Sequence, residues 1–144
     1  MKVPPALLKQ LKGEKISGKE QLVRKLRLLR DQGRVGVGLY TGNGAGKLLR
    51  PAAGAGFELD VEWLQAQILE KHLGITPAEV GYTQDLEAAY TKVRAGAAQG
   101  VFVMQPPRLK DVFRRARSAR RMPKKTTYFY PKLVSGLVGY PFGD

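Results

Sequence analysis

Lysine ammonium groups, threonine hydroxyls and tyrosine phenols are concentrated in one short segment near the C-terminus. This segment, residues 122–132, has the sequence MPKKTTYFYPK. Ammonium groups form charge-assisted hydrogen bonds with phosphate or carboxylate, and hydroxyls supply further donors. The sequence therefore predicts a binding site for a phosphorylated small molecule, a nucleotide or another small anion. The ligand-binding candidates are Lys124, Lys125, Thr126, Thr127, Tyr128, Tyr130 and Lys132.

A strongly basic segment leads into this candidate site. Residues 108–125 hold nine of the 25 Lys and Arg residues and one acid, so +8 of the formal net charge of +13 lies there. The spacing predicts a helix over 108–121 that is cationic on one side. The predicted buried stripe on its other side is Leu109, Val112, Phe113, Ala116 and Ala119.

The basic helix has two interpretations. It is either a solvated face that keeps the domain soluble, or a surface that binds nucleic-acid phosphates. In the second case Tyr128 or Tyr130 would stack on bases. The nucleic-acid-binding candidates are Lys110, Arg114, Arg117, Arg120 and Arg121. A second basic helix is predicted near the N-terminus, and the two would form a positive groove if they were adjacent.

The segment MPKKTTYFYPKLVSGLV, residues 122–138, resembles the C-terminal signature of the prokaryotic family named domain of unknown function 1015. Four upstream segments agree with that family in order: GLYTG at 38–42, VEWLQAQILEKHLGI at 61–75, GYTQD at 81–85 and VFVMQP at 101–106. Members of the family are longer at the N-terminus. The resemblance therefore implies a fragment, a binding remnant or one half of a split enzyme whose partner is a separate polypeptide. It implies no catalytic roles.

Composition restricts the chemistry further. The chain has 144 residues, the length of one ordinary domain, and no cysteine, which excludes disulfides and thiolate metal sites. No apolar stretch approaches the roughly 20 residues of a membrane span, and the N-terminus has too short an apolar run for a secretory signal. We therefore expect a cytoplasmic protein that binds no membrane, no metal and no cofactor.

Catalytic candidates are few. The segment GNGAGK at 42–47 has the wrong spacing for a phosphate loop and is followed by Leu48 rather than Ser or Thr. We expect His72 to be structural, Asp85 to cap a helix and Asp111 to pair with Arg115 within its helix. The sequence assigns no catalytic residue.

The domain organisation predicted is a basic N-terminal arm or short helix at 1–16, followed by a single domain at 17–144. A helix over 17–31 would begin with a capping box formed by Ser17 and Glu20. A strand over 35–40 would place Gly36 and Gly38 on a face that lies close to a neighbour, and a hairpin would lead from it into residues 47–50.

The second half of the chain predicts further elements. Asp60 would cap a helix over 61–73. Strands at 80–83 and 101–105 would flank a helix over 85–98 as a β-α-β unit, and a hairpin over 126–140 would close the chain. The expected class is α+β, with a mixed sheet of about five or six strands and four or five helices.

Overall fold

The α+β class is confirmed by the computed structural model, which describes residues 5–42 and 46–123. The helices are α1 (Pro5–Gln10), α2 (Lys19–Asp31), α3 (Asp60–Trp63), α4 (Leu86–Arg94) and α5 (Leu109–Arg117). The strands are β1 (Glu14–Ile16), β2 (Val37–Thr41), β3 (Gly46–Leu49) and β4 (Gly100–Val103). A π-helix, Leu64–His72, continues α3 directly, and a short 3₁₀ turn spans Pro77–Glu79.

The four strands form one sheet in the order β1-β3-β2-β4, and every neighbouring pair is antiparallel. The hairpin predicted between residues 35–40 and 47–50 is confirmed, with Leu39 opposite Lys47. In the described part of the chain the sheet has four strands rather than five or six, and it is antiparallel rather than mixed. The predicted closing hairpin at 126–140 lies outside the described residues.

The predicted β-α-β unit is wrong because residues 80–83 form no strand. The side chain of Tyr82 is half exposed. Thr83 Oγ1 accepts a hydrogen bond from the Asp85 amide at 3.1 Å, which turns the chain into α4. This segment therefore serves as the entry to a helix, and the strand that follows α4 pairs with β2 in the antiparallel sense.

Helices cover both faces of the sheet. Leu22 and Leu26 of α2 and Tyr90 of α4 pack with Leu48 and Val103 on one face. The other face is covered by α1 and the π-helix, which bury the side chains Leu8, Leu11, Trp63, Leu64, Ile68 and Leu69 against Val37, Leu39 and Leu49. Alternation along each strand thus supplies two cores, one on each side.

The glycine face of the second strand has a close neighbour, as predicted, and the structure shows that this neighbour is α2. A Cβ atom added to Gly38 would lie 2.6 Å from Leu22 Cδ2, and one added to Gly36 would lie 2.5 Å from Leu29 Cδ1. A side chain at either position would require the contacting leucine of α2 to shift. The glycines therefore set the distance between α2 and β2.

Three helix starts can be compared with prediction. The Ser17 backbone amide and hydroxyl both donate to Gln21 Oε1, so the predicted pairing with Glu20 is wrong. Asp85 caps α4 as predicted, with Oδ1 accepting from the Ala88 amide at 2.9 Å. Asp60 does not cap its helix; its Oδ1 accepts from the Gly36 amide at 3.0 Å and ties α3 to the start of β2.

Residues near the N-terminus are integrated into this architecture. Leu8 and Leu11 are buried, and β1 pairs with β3 at the edge of the sheet.

No helix in the described ranges is long and apolar enough to span a bilayer.

Candidate functional site

The orientation of α5 differs from the prediction. Leu109 and Phe113 were expected to be buried, yet they are 60% and 56% exposed. The buried residues of this helix are Asp111 and Arg115. The predicted apolar stripe is therefore wrong: α5 packs on the body of the protein through Asp111 and Arg115, with Val112 half-buried, while Leu109 and Phe113 face outward.

Asp111 is the centre of a charge cluster at the start of α5. Arg108 Nε donates to Asp111 Oδ2 at 2.8 Å, Arg108 Nη2 donates to Oδ1 at 3.0 Å, and Arg114 Nη2 donates to Oδ1 at 3.1 Å. The expected partner, Arg115, makes no such contact. The hydrogen bonds from Arg108 hold the pKa of Asp111 below its usual value, and the charges of Arg108, Arg114 and Lys110 lower it further.

The guanidinium of Arg108, at the start of α5, also lies against the chain just beyond the end of α2. A Cβ atom on Gly33, two residues beyond the end of α2, would lie 3.1 Å from Arg108 Nη1. Gly33 has a φ of +72°, which favours glycine. The C-terminal end of α2 and the N-terminal end of α5 are therefore adjacent at this point.

Arg115 anchors the middle of α5 to a different element. Its Nη2 lies 2.7 Å from Glu62 Oε2 in α3 and 3.6 Å from Glu58 Oε2. Only 5% of the Arg115 side chain is exposed, against 30% for Glu62. This pair supplies a polar reason for α5 to face the protein with the side that carries Arg115.

The helix ends earlier than predicted, at Arg117 rather than Arg121. Ser118 Oγ donates to the carbonyls of Arg114 and Arg115, and such side-chain bonds compete with helix continuation. Ala119 then has a positive φ of 53°. Arg121 lies beyond this turn, and its carbonyl accepts a bond of 3.5 Å from Arg115 Nη1.

Lys110, Arg114 and Arg117 all point outward from α5 and are exposed. We call these three side chains the outward cationic face. Arg114 shares Asp111 with Arg108, while Lys110 and Arg117 form no ion pair with any described residue. Arg120, the fourth candidate, contacts Glu58 at 3.7 Å.

Further exposed cations lie on α2 and just beyond its end. Arg24, Arg27 and Arg34 are exposed, and none is ion-paired within the described ranges. Arg108 lies against Gly33, and Arg34 is the next residue in the chain, so Arg34 is close to the start of α5. The basic surface therefore extends from α5 towards α2.

A concavity of about 460 Å³ lies beside the Arg115 anchor. Its lining residues are Phe57, Glu62, Gln65, Ala66 and Glu70. Two glutamates make this concavity acidic, which disfavours an anionic ligand.

Across residues 5–42 and 46–123, no group of three or more His, Asp or Glu side chains is arranged to hold a metal ion.

The predicted small-anion site, Lys124 to Lys132, lies outside the described residues.

Among the residues that the sequence interpretation missed are Glu62 and Gly33, which contact α5. No local spacing indicates Glu62, because it is 53 positions from Arg115 in the chain. Gly33, two residues after the predicted helix over 17–31, was an available signal, because a glycine there is typical of the end of a helix.

Comparison with known proteins gave no relatives. The chain matches no protein-family model, no curated protein sequence and no solved structure. The functional interpretation therefore depends on the geometry of this molecule.

Proposed function

We propose that this protein binds nucleic acid through the outward cationic face of α5, extended by the neighbouring cations of α2. The observation that carries the proposal is the division of charge on α5. Acids neutralise the inward side, where Asp111 and Arg115 are buried, while Lys110 and Arg117 point outward without an ion pair in the described chain. Unpaired, clustered cations release counterions when they contact phosphates, and this release drives association.

The two anchors of α5 support this role. Arg108, which is bonded to Asp111, lies against Gly33 at the start of the helix, and Arg115 with Glu62 holds its middle. Lys110 and Arg117 are seven residues apart, so their Cα atoms are separated by roughly 10 Å along the helix axis. A fixed helix offers these cations at little ordering cost.

A second proposal concerns the segment Lys124 to Lys132. The ammonium and hydroxyl donors in its sequence favour a phosphorylated small molecule or nucleotide, and the resemblance described above suggests that this site is part of a split or truncated enzyme. Its support is the sequence alone. The two proposals differ in the residues that should dominate binding: Lys110 and Arg117 in the first, Lys124, Thr127 and Lys132 in the second.

A thermal-stability screen separates these functions. The whole chain is tested with single- and double-stranded oligonucleotides, nucleotides and inorganic phosphate, each at low and high salt. Stabilisation by oligonucleotides that falls steeply with salt supports the first proposal. A salt-resistant shift with one small ligand supports the second. The absence of any shift contradicts both and leaves the basic face as a solvated surface.

A further inference from the structure

We infer that the outward side of α5 is a platform for single-stranded nucleic acid, on which a base stacks against Phe113 while Lys110 and Arg117 hold the flanking phosphates. This inference rests on the proposed function and narrows it. The ring of Phe113 is 56% exposed, although a large aromatic side chain normally lies in a core.

The position of Phe113 on the helix places it among cations. Lys110 precedes it by three residues and Arg117 follows it by four, so both are its neighbours on the helix surface. Leu109, four residues before Phe113 and 60% exposed, extends the apolar surface by one turn. The outward side of α5 therefore carries an apolar stripe and a cationic stripe side by side.

This pairing of stripes fits a single strand better than a duplex. The flat faces of bases are free to stack on a side chain when the strand is unpaired, whereas in a duplex they stack on one another. Aromatic rings bordered by Lys and Arg are the usual way in which proteins hold single strands without sequence preference. A duplex would engage the cations and leave Phe113 without a partner.

Two other occupants of the apolar stripe are a second copy of the chain and the C-terminal residues 124–144. Charge favours nucleic acid over both. The chain has a net charge of +13, and a second copy would bring like charges together. Residues 124–144 carry three lysines and a single acid, so they also add positive charge next to Lys110 and Arg117.

The test uses two variants of the whole chain. Phe113→Leu keeps an apolar side chain and removes the ring, and Leu28→Ala alters a leucine on α2 that is 55% exposed, as the control. Binding of a labelled oligo(dT) and of a duplex of equal charge is measured by fluorescence anisotropy. We expect Phe113→Leu to weaken oligo(dT) binding about tenfold, to change duplex binding less than twofold, and Leu28→Ala to change neither.

A Phe113→Trp variant reports the contact directly. Its emission should be quenched when oligo(dT) saturates the protein and unchanged by the duplex, while Trp63, which is buried, gives a constant background. The inference is overturned if Phe113→Leu binds oligo(dT) as tightly as the wild type, even where the cations still matter. It is also overturned if the indole introduced by Phe113→Trp is shielded from acrylamide in the free monomer, which indicates cover by the chain's own C-terminal residues.

Two remaining outcomes are distinguishable from these. A concentration-dependent dimer that Phe113→Leu dissociates assigns the stripe to a second copy and contradicts the inference. Failure of the wild type to bind either oligonucleotide contradicts both the inference and the proposed function.

Discussion

Arg115 in α5 and Glu62 in α3 form an ion pair of 2.7 Å across 53 positions of the chain. Almost all of the Arg115 side chain is buried, and its Nη1 also reaches the carbonyl of Arg121. The pair thus holds both the helix and the turn that follows it. The orientation of the basic surface depends on this contact between two distant residues.

Removal of the Arg115 guanidinium should destabilise the protein. Arg115→Met leaves Glu62 without its partner in a partly buried position, and we expect the free energy of unfolding to fall by about 1–3 kcal/mol. Urea denaturation measures the change. Arg120→Met is the matched control: Arg120 is exposed and contacts Glu58 at 3.7 Å, so its loss should cost little. Equal losses from the two variants would show that burial of Arg115 has no energetic role.

Asp60 should give the protein a specific pH dependence. Burial raises the pKa of this carboxyl from 3.8 to about 6, although the hydrogen bond from the Gly36 amide opposes the rise. The folded state therefore binds the proton more tightly than the unfolded state. The contribution of Asp60 to stability is fully present below about pH 4 and is lost as pH rises to about 6.

Asp60→Asn isolates this effect. The variant cannot ionise, so above pH 6 it should be more stable than the wild type by roughly 1–3 kcal/mol, and the difference should vanish below pH 4. Unfolding in urea at several pH values measures it. Asp60→Ala removes the acceptor of the buried Gly36 amide and should be destabilised relative to Asp60→Asn at every pH. A constant difference between the wild type and Asp60→Asn across this range would contradict the assigned pKa.

Gly38 should tolerate no side chain. A Cβ atom there would lie 2.6 Å from Leu22 Cδ2, so Gly38→Ala forces α2 away from β2 at a cost of about 1–3 kcal/mol. Gly81→Ala serves as the control, because a Cβ atom at Gly81 meets nothing within 4 Å. Thermal unfolding of both variants measures the difference, and similar melting temperatures would show that the helix and strand can separate freely.

Asp85 should contribute a measurable helix cap. Asp85→Ala removes the oxygen that accepts from the Ala88 amide, and the expected loss is about 1 kcal/mol. Asp85→Ser restores an N-cap acceptor and should recover most of that loss. If Ser and Ala at this position are equally stable by urea denaturation, the capping bond is not what stabilises α4.

The elements that the sequence predicted correctly have local causes. The alternation of glycines with Val35, Val37 and Leu39 predicted a strand with a close neighbour on its glycine face, and the approach of α2 to Gly36 and Gly38 confirms it. Asp85 was assigned as a cap from its position before an amphipathic helix, and its bond to Ala88 confirms that assignment. These features depend on residues within a few positions or on a strong repeating pattern.

The orientation of α5 was not predictable from the same kind of pattern. The spacing of Leu109 and Phe113 indicates a buried apolar stripe, but the ion pair with Glu62 holds Arg115, on another side of the helix, against the protein. The Arg115–Glu62 contact joins residues 53 positions apart in the chain, and it outweighs the burial of two or three apolar side chains. The sequence therefore identifies the cationic residues of the helix. Which of them face outward, where a ligand can bind, is known only from the structure.

The most direct test of the proposed function is the salt dependence of oligonucleotide binding by the Lys110→Gln/Arg117→Gln double variant. Its control is Lys92→Gln/Arg94→Gln, which removes the same charge from exposed positions on α4. Association constants for labelled oligo(dT) are measured over a series of salt concentrations. We predict that the first variant binds more weakly and that its slope of log K against log salt falls by about 1.5, while the control keeps the wild-type slope. Equal slopes for both variants would contradict a specific role for the outward cationic face.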